Sequence, residues 1–246
     1  MSTVETSPSP PPAVEPFWNW GDAAWLLASL PLCFIGSLLA MRAIDGFFGL
    51  AMSLAGRALT LQAFFYVLLF GALWFILELR HNLSLWPALH FPIGWRQAIR
   101  LIPAGCALAL CIAFLGAALH ARDVDNPLLR LLKDPLSTAL VGIFASTLGP
   151  AAEEAFFRGF LQPLIQKTAG LAAAIFYTSL LFAAMHGPQY DWSWRHLLLL
   201  LLASSVFGLV RARHNSTGAS TLVHAAYNMT FFIGFLLQGR TLPAHG

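Results

Sequence analysis

Long apolar stretches dominate this chain of 246 residues, and they restrict the folds open to it more than any other feature. A helix needs roughly 20 mostly apolar residues to cross about 30 Å of hydrocarbon, because it rises about 1.5 Å per residue. Lipid offers the backbone no hydrogen bonds, so each such stretch is expected to be helical. The predicted fold class is all-α, a polytopic transmembrane helical bundle. It has about seven spans, with six to eight compatible, at residues 23–41, 58–77, 101–119, 135–152, 168–185, 197–210 and 216–239.

The composition agrees with a protein that lies in the lipid bilayer. Apolar residues make up 58% of the chain and charged residues 10%, far from the usual composition of a soluble domain. The net charge is +3, but Lys and Arg are spread over short loops and form no stripe that would follow a phosphate backbone. We therefore expect an integral, multi-pass membrane protein, in the cell membrane if the source is bacterial, without a nucleic acid partner.

The regions outside the spans have their own composition. Residues 1–16 are rich in proline and hold no Lys or Arg, which indicates a disordered tail and argues against a signal peptide. After this tail, Phe17, Trp18 and Trp20 are expected at the level of the lipid headgroups. Residues 47–57 are expected to form a short amphipathic segment in the interface, and residues 239–246 a C-terminal tail.

Ionisable and amide side chains occur inside the predicted spans or at their ends, in three separate segments. A charge exposed to lipid is costly, so such groups normally face a protein interior or a water-filled cavity and mark a functional site. The candidate site residues on this ground are Glu153, Glu154, Arg158, His186, His224 and Asn228.

Helical geometry separates the roles of the two adjacent glutamates. Positions four apart share a face of a helix, whereas adjacent positions differ by about 100°. Glu154 is therefore predicted to pair with Arg158, as an internal ion pair that supports the site. Glu153 points elsewhere and is the carboxylate left available as a general base. The alternative for Glu153 is a second partner of the same arginine or an interfacial charge at a helix end.

The histidines and the asparagine have both structural and catalytic interpretations. His186 ends a predicted span, where a histidine is often a capping or snorkelling group. His224 and Asn228 are four apart, so they share a helix face, either as a polar contact between helices or as an imidazole and a carboxamide in one cavity. With Glu153 they supply the parts of a hydrolase: a base for water, groups that hold the water or stabilise an oxyanion, and an amide donor.

A zinc ion is an alternative centre for the same residues. Glu153, His186 and His224 form a set of two histidines and one glutamate, which occurs in catalytic zinc sites. They come from three distant segments without an HExxH motif, so their spacing neither supports nor excludes a metal. No cofactor is favoured, and zinc stays open as the alternative.

Three motifs, in this order along the chain, resemble those of a known protease family. The segments EEAFFR at 153–158, FAAMH at 182–186 and HAAYN at 224–228 are similar to the EExxxR, FxxxH and HxxxN motifs of the CPBP family. These are intramembrane proteases related to the type II CaaX prenyl endopeptidases. The resemblance covers about residues 135–238, whereas residues 17–134 hold spans without a motif of the family.

The resemblance implies an α-helical intramembrane endopeptidase whose catalytic core is residues 135–238. It implies Glu153 as the base, with His186, His224 and Asn228 completing the site and Glu154 paired with Arg158. Members of the family have been interpreted both as glutamate proteases and as metalloproteases. The implied substrate is a membrane-anchored protein or lipidated peptide that is cut near its C-terminus. A prenylated CaaX protein is expected only where the host prenylates proteins.

Two other functions are compatible with parts of the pattern. A non-catalytic membrane protein of the same scaffold, such as an immunity or regulatory subunit, would keep the fold, but here every motif position is intact. A proton-coupled transporter would use buried Glu and His as a relay, but the chain has no internal repeat. We therefore predict an endopeptidase and keep the non-catalytic scaffold as the alternative.

Overall fold

The computed structural model describes residues 16–49, 52–121, 124 and 126–238, and this part of the chain is helical without β-strands. The predicted all-α class is confirmed. The two predicted tails, 1–16 and 239–246, lie outside the described residues except for Pro16. The structure therefore concerns the helical bundle and the short segments that join its helices.

Nine α-helices follow one another in the described part of the chain, with two π-helical turns and two short 3₁₀ turns. The π-helical turns are Phe75–Arg80 and Ala155–Leu161, and the 3₁₀ turns are Pro127–Leu131 and Gly187–Tyr190. The α-helices are α1 Trp20–Phe48, α2 Leu54–Trp74, α3 Leu85–Ala88, α4 Trp95–Ala118, α5 Pro135–Ser146, α6 Leu148–Glu154, α7 Gln162–Met185, α8 Trp194–His214 and α9 Thr217–Leu237.

Six helical units of the described chain are long and apolar enough to cross a membrane, and one of them is far longer than a single crossing needs. This unit of 51 residues runs from Pro135 to Met185. It breaks inside α7 at Gly170, whose φ of 81° and ψ of 169° are accessible almost exclusively to glycine. The Phe157 ring before the break contacts the Phe182 ring after it, with 5.5 Å between centroids. The chain therefore reverses at Gly170, which gives the seven predicted crossings.

The fourth predicted span, 135–152, is not the continuous helix that we expected. Helix α5 ends at Ser146, and Thr147 leaves helical geometry with φ −134° and ψ −80°. Pro150 explains the break, because a proline lacks the N–H for a helical hydrogen bond and its ring clashes with the carbonyl four residues before it, here that of Ser146. The chain resumes as the short helix α6, which ends with the two glutamates.

The expected amphipathic segment at 47–57 is also corrected, because its ends belong to two spans. Helix α1 continues to Phe48, and Gly49 terminates it with a left-handed φ of 55° and an N–H bonded to the Asp45 carbonyl. Ser53 then caps the start of α2. An ion pair of 2.8 Å between Asp45 and Arg57 joins the two helices. The polar residues that suggested an interfacial helix are thus the caps and the ion pair of a connection between spans.

Helix α9 lies among α4, α5, α6 and α8 and brings its polar residues next to α6. Its approach to α4 depends on Gly105, where a Cβ atom would lie 2.4 Å from the Val223 carbonyl oxygen. Small residues permit such backbone contact between membrane helices. This close packing fixes the position of α9 along its own axis, next to the two glutamates.

The segment before α1 is anchored on the core instead of lying among headgroups, so the prediction for Trp18 is wrong. Trp18 is 3% exposed and stacks on Phe160, with 5.4 Å between ring centroids. Its Nε1–H donates to the Phe160 carbonyl over 3.0 Å. The fully buried Asp22 holds the same region by an ion pair of 3.1 Å to Arg80 and a hydrogen bond of 2.9 Å with Nε2 of His81. These bonds were unpredictable from local pattern because their partners are distant in sequence.

Candidate active site

The two glutamates lie where the backbone changes from an α-helix to a π-helical turn. Glu153 and Glu154 are the last residues of α6, and the turn Ala155–Leu161 follows directly. Single π-helical turns inside helices are frequent at functional sites. All seven residues of this turn are buried, so it carries Arg158 into the interior of the bundle.

The predicted pair of Glu154 and Arg158 is present, and both side chains are fully buried. Nη1 of Arg158 donates to Oε1 of Glu154 over 3.0 Å. Nη2 donates to the carbonyl and the hydroxyl oxygens of Ser204 on α8, over 2.8 and 2.5 Å. The guanidinium carbon also lies 5.2 Å from the centre of the Phe182 ring. A buried charge is tolerable when it is paired and hydrogen-bonded in this way.

Glu154 has two further partners that the helix spacing did not predict. Its Oε1 lies 3.0 Å from Nδ1 of His224, and its Oε2 accepts a short hydrogen bond from the Ser220 hydroxyl. Both partners belong to α9. Glu154 therefore joins the π-helical turn to α9 as well as neutralising Arg158.

His224 lies between the two adjacent glutamates and is oriented by them. Since the Glu154 carboxylate is held by the cationic Arg158, it acts as an acceptor, and the Nδ1–H of His224 donates to it. Nε2 of His224 then faces Glu153, at 3.9 Å from its Oε2. The Phe207 ring stacks on the imidazole, with 4.4 Å between centroids and 18° between planes. The imidazole is thus fixed in position and in tautomer.

Surface exposure distinguishes the two glutamates. The Glu153 side chain is 28% exposed, whereas that of Glu154 has no exposed surface. A general base must contact the proton that it removes, so only the first of the two carboxylates is placed to meet a water or a substrate. Its separation from His224 exceeds a direct hydrogen bond and is short enough for one water to contact both groups.

His186 and His224 both lie near the Phe182 ring. Its Nδ1–H donates to the Phe182 carbonyl over 2.8 Å, which leaves Nε2 as the nitrogen with a lone pair. The Phe182 ring lies 4.5 Å from the His186 ring and 5.7 Å from the His224 ring. The FxxxH segment therefore brings its histidine near the other candidates through the phenylalanine, while its backbone hydrogen bond satisfies the predicted capping alternative as well.

Asn228 makes a structural contact that uses one of the two amide hydrogens predicted to serve as oxyanion donors. Its Nδ2 donates to the Ala145 carbonyl over 2.7 Å. This carbonyl lies in the last turn of α5. It has no intrahelical hydrogen-bond partner, because the helix ends at Ser146. One amide hydrogen of Asn228 thus anchors the end of α5, and the second stays available as a donor.

The candidate ligands do not fit a zinc centre as they are arranged. In the described ranges, no three His, Cys, Asp or Glu side chains form a group that could hold a metal ion. The 3.9 Å between Glu153 and His224 exceeds the roughly 3.3 Å expected for two ligands about 2.0 Å from a tetrahedral zinc. The steps proposed below therefore use only side chains and water.

Sequence reasoning missed three polar residues that surround the site. Ser204 accepts a hydrogen bond from the Arg158 guanidinium, and Arg211 donates from Nε to the Arg158 carbonyl over 3.2 Å. The Ser220 hydroxyl donates to Glu154. One signal was available for the last of these. Ser220 precedes His224 by four residues, just as His224 precedes Asn228, so all three share one face of α9.

An apolar cavity of about 470 Å³ lies beside the site. Its walls come from α1, the π-helical turn and both halves of α7, and include Leu27, Phe157, Ile165 and Met185. The Phe157 ring, which lines the cavity, lies 5.6 Å from the Arg158 guanidinium carbon, so the cavity borders the buried ion pair, although none of the six candidate residues lines it. Its lining suits an apolar chain or apolar side chains.

Comparison with known proteins identifies the region that contains all six candidates. Residues 135–230 match the family model described as Type II CAAX prenyl endopeptidase Rce1-like. The match begins at the first residue of α5 and extends into α9. No curated protein and no solved structure matches the chain significantly. The match confirms the resemblance that the three motifs predicted.

Proposed function

We propose, on the premise that residues 135–230 form an Rce1-like domain, that this protein is an intramembrane endopeptidase. It hydrolyses a peptide bond near the C-terminus of a membrane-anchored or lipidated substrate, with a water activated by Glu153. His186, His224 and Asn228 complete the site, and Glu154 and Arg158 support it. The alternative is a non-catalytic membrane protein that keeps the same scaffold.

The observation that carries this proposal is the position of His224 between two carboxylates of unequal access. Glu154 is fully buried and accepts from Nδ1, while the partly exposed Glu153 lies 3.9 Å from Nε2. A purely structural ion pair would need only Glu154 and Arg158. The second carboxylate, accessible and beside an oriented imidazole, is the arrangement that a water-activating base requires.

The proposed reaction transfers protons between water, Glu153 and the leaving group. The Glu153 carboxylate takes a proton from the water as the water oxygen attacks the carbonyl carbon of the scissile bond. The resulting oxyanion accepts hydrogen bonds, for which the second amide hydrogen of Asn228 is our candidate donor. Glu153 then returns its proton to the amide nitrogen as the C–N bond breaks, which yields an amine and a carboxylic acid, and the acid then loses its remaining proton to water.

The substrate class follows from where the site lies. The candidate side chains belong to spans, so the substrate must reach them from the membrane or from its surface. The neighbouring cavity of about 470 Å³ is lined by apolar side chains, which favours a substrate with an apolar chain or segment next to the scissile bond. A membrane-anchored or lipidated protein satisfies both conditions.

The experiment that tests the proposal compares membrane proteomes from cells that express the wild type, Glu153→Gln or Asp45→Asn. Asp45 lies in an exposed ion pair with Arg57 at the connection between α1 and α2, so it serves as a matched carboxylate control. We expect one C-terminal fragment that appears with the wild type and the control and is lost with Glu153→Gln. Absence of any fragment that depends on folded wild-type protein would favour the non-catalytic alternative.

A further inference from the structure

We propose that Ser220 is a positioning residue of this endopeptidase, because it holds Glu154 in the orientation that fixes His224. The inference rests on the proposed function for its kinetic consequences. Its structural core, the link from Ser220 through Glu154 to His224, is testable without any substrate.

The contacts of Ser220 reach both groups that hold His224. Its hydroxyl donates to Oε2 of Glu154, and the Phe207 carbonyl oxygen lies 3.0 Å from the same hydroxyl. Glu154 binds Nδ1 of His224 with its other oxygen, and the Phe207 ring stacks on the imidazole. Ser220 is fully buried, so no water competes for these bonds.

The hydroxyl of Ser220 differs in its hydrogen-bond partners from the hydroxyls of Thr221 and Thr230 on the same helix. Serine and threonine in membrane helices usually bond the carbonyl four residues before them. Thr221 bonds the Thr217 carbonyl over 2.9 Å in this way, and Thr230 bonds the Ala226 carbonyl over 2.8 Å. The bonds of Ser220 instead run to a different helix and to the ion pair.

Both oxygens of Glu154 are engaged by this arrangement. Oε1 accepts from Arg158 and His224, and Oε2 accepts from Ser220. Without Ser220 the carboxylate would lose its bond at Oε2, so its orientation would depend on Oε1 alone and Oε1 would be held less rigidly opposite Nδ1. A neutral imidazole carries one N–H, so loss of its acceptor would let the proton move to Nε2. The lone pair that faces Glu153 would then be lost in part of the molecules.

The test uses purified protein with three substitutions. Ser220→Ala removes the hydroxyl, and Ser220→Thr retains it. Ser179→Ala is the matched control, because Ser179 on α7 is fully buried and its hydroxyl has no hydrogen-bond partner within the described residues. If Ser220→Ala does not fold, Ser220→Cys keeps nearly the same volume with a much weaker donor and takes its place.

Two measurements are made on each variant. The first is kcat and KM across pH on the uncleaved precursor of the fragment found by proteomics. We expect Ser220→Ala to lower kcat on the order of 10 to 100 fold with KM unchanged, as loss of groups that orient histidines does elsewhere. We also expect a displaced pH profile in this variant, and near wild-type behaviour in Ser220→Thr and in Ser179→Ala.

The second measurement is ¹⁵N NMR of histidine-labelled protein, with His224 assigned by its substitution. We expect protonated Nδ1 and unprotonated Nε2 in the wild type, and a mixture in Ser220→Ala. Unchanged ¹⁵N shifts and unchanged kcat in this variant would overturn the proposal. If the wild type cleaves nothing, the proposed function fails, while the NMR result still decides whether Ser220 sets the state of His224.

Discussion

Glu154 accepts a hydrogen bond of 3.0 Å from Nδ1 of His224, although the two residues lie 70 positions apart in the chain. The bond joins the end of α6 to the middle of α9 in the interior of the bundle. It gives Glu154 a second part beside its ion pair with Arg158, namely to direct the other nitrogen of the imidazole toward Glu153. The Glu154 carboxylate therefore both neutralises the buried Arg158 and orients His224.

Removal of the Glu154 carboxylate should destabilise the fold. Glu154→Ala leaves the fully buried Arg158 guanidinium without its counterion, which costs about 3 to 5 kcal/mol. We expect a large drop in the unfolding temperature in detergent. Asp45→Ala, which breaks an exposed pair, should cost only about 0 to 1 kcal/mol. Unchanged thermal stability of Glu154→Ala together with lost activity would move Glu154 into the catalytic group.

Loss of the Asn228 amide should affect turnover more than substrate binding. If its second hydrogen donates to the oxyanion, Asn228→Ala should lower kcat on the order of 100 to 1000 fold with little change in KM. The lost bond to the Ala145 carbonyl adds a stability cost of about 1 kcal/mol. Thr230→Ala on the same helix is the kinetic control. A variant that loses stability but keeps kcat would restrict Asn228 to anchoring α5.

Acidification should weaken the contact between the loop before α4 and the start of α9. Burial lowers the pKa of His90, and the positive charge of Arg211 lowers it further, against a backbone hydrogen bond at Asn215 that raises it. The fold thus favours neutral His90, and its contribution to stability is present above the ordinary pKa of about 6.5 and lost as the pH falls. The His90 carbonyl accepts from the Thr217 N–H over 2.8 Å, so the loss should reach α9.

The measurement for this prediction is the unfolding temperature in detergent at pH 7.5 and at pH 5. His90 has a φ of 52°, which asparagine tolerates, so His90→Asn keeps the turn and removes the titration. We expect a smaller fall in unfolding temperature between the two pH values in His90→Asn than in the wild type. An equal fall in both proteins would show that other groups control the acid sensitivity.

Chelation separates the two chemistries that the sequence left open. With Glu153 and His224 at a spacing that does not fit a shared zinc, we expect activity to survive prolonged treatment with a strong chelator. The check is the rate of fragment release before chelation, after it, and after addition of zinc. Full loss that zinc restores would replace the glutamate mechanism with a metal one in which the same histidines are ligands.

Features set by local spacing were predictable from the sequence. The six long apolar helical units follow from the length of the apolar stretches, and the pair of Glu154 and Arg158 follows from a separation of four residues. The break after Ser146 was also readable, because Pro150 cannot continue the helix at that carbonyl. A count of seven crossings also needs the reversal of the chain at Gly170, and a single glycine in the sequence is not enough to predict that reversal.

Features set by tertiary contact were not predictable in the same way. The bond between Trp18 and Phe160 joins residues 142 positions apart, and no local pattern points from one to the other. The contact of His224 with Glu154 depends on how α9 packs against α6, which Gly105 and the neighbouring helices decide. Helix spacing predicted Arg158 as the partner of Glu154, and the second contact of Glu154, with His224, is seen only in the packed structure.

The most direct test of the account is the turnover of purified Glu153→Gln in lipid vesicles, with wild type and Glu154→Gln alongside. The substitution keeps the volume of the side chain and removes its basicity, and the side chain is partly exposed, at 28%, so we expect the variant to fold. The account predicts no detectable cleavage by Glu153→Gln at wild-type unfolding temperature and yield. Cleavage near the wild-type rate by this folded variant would contradict it.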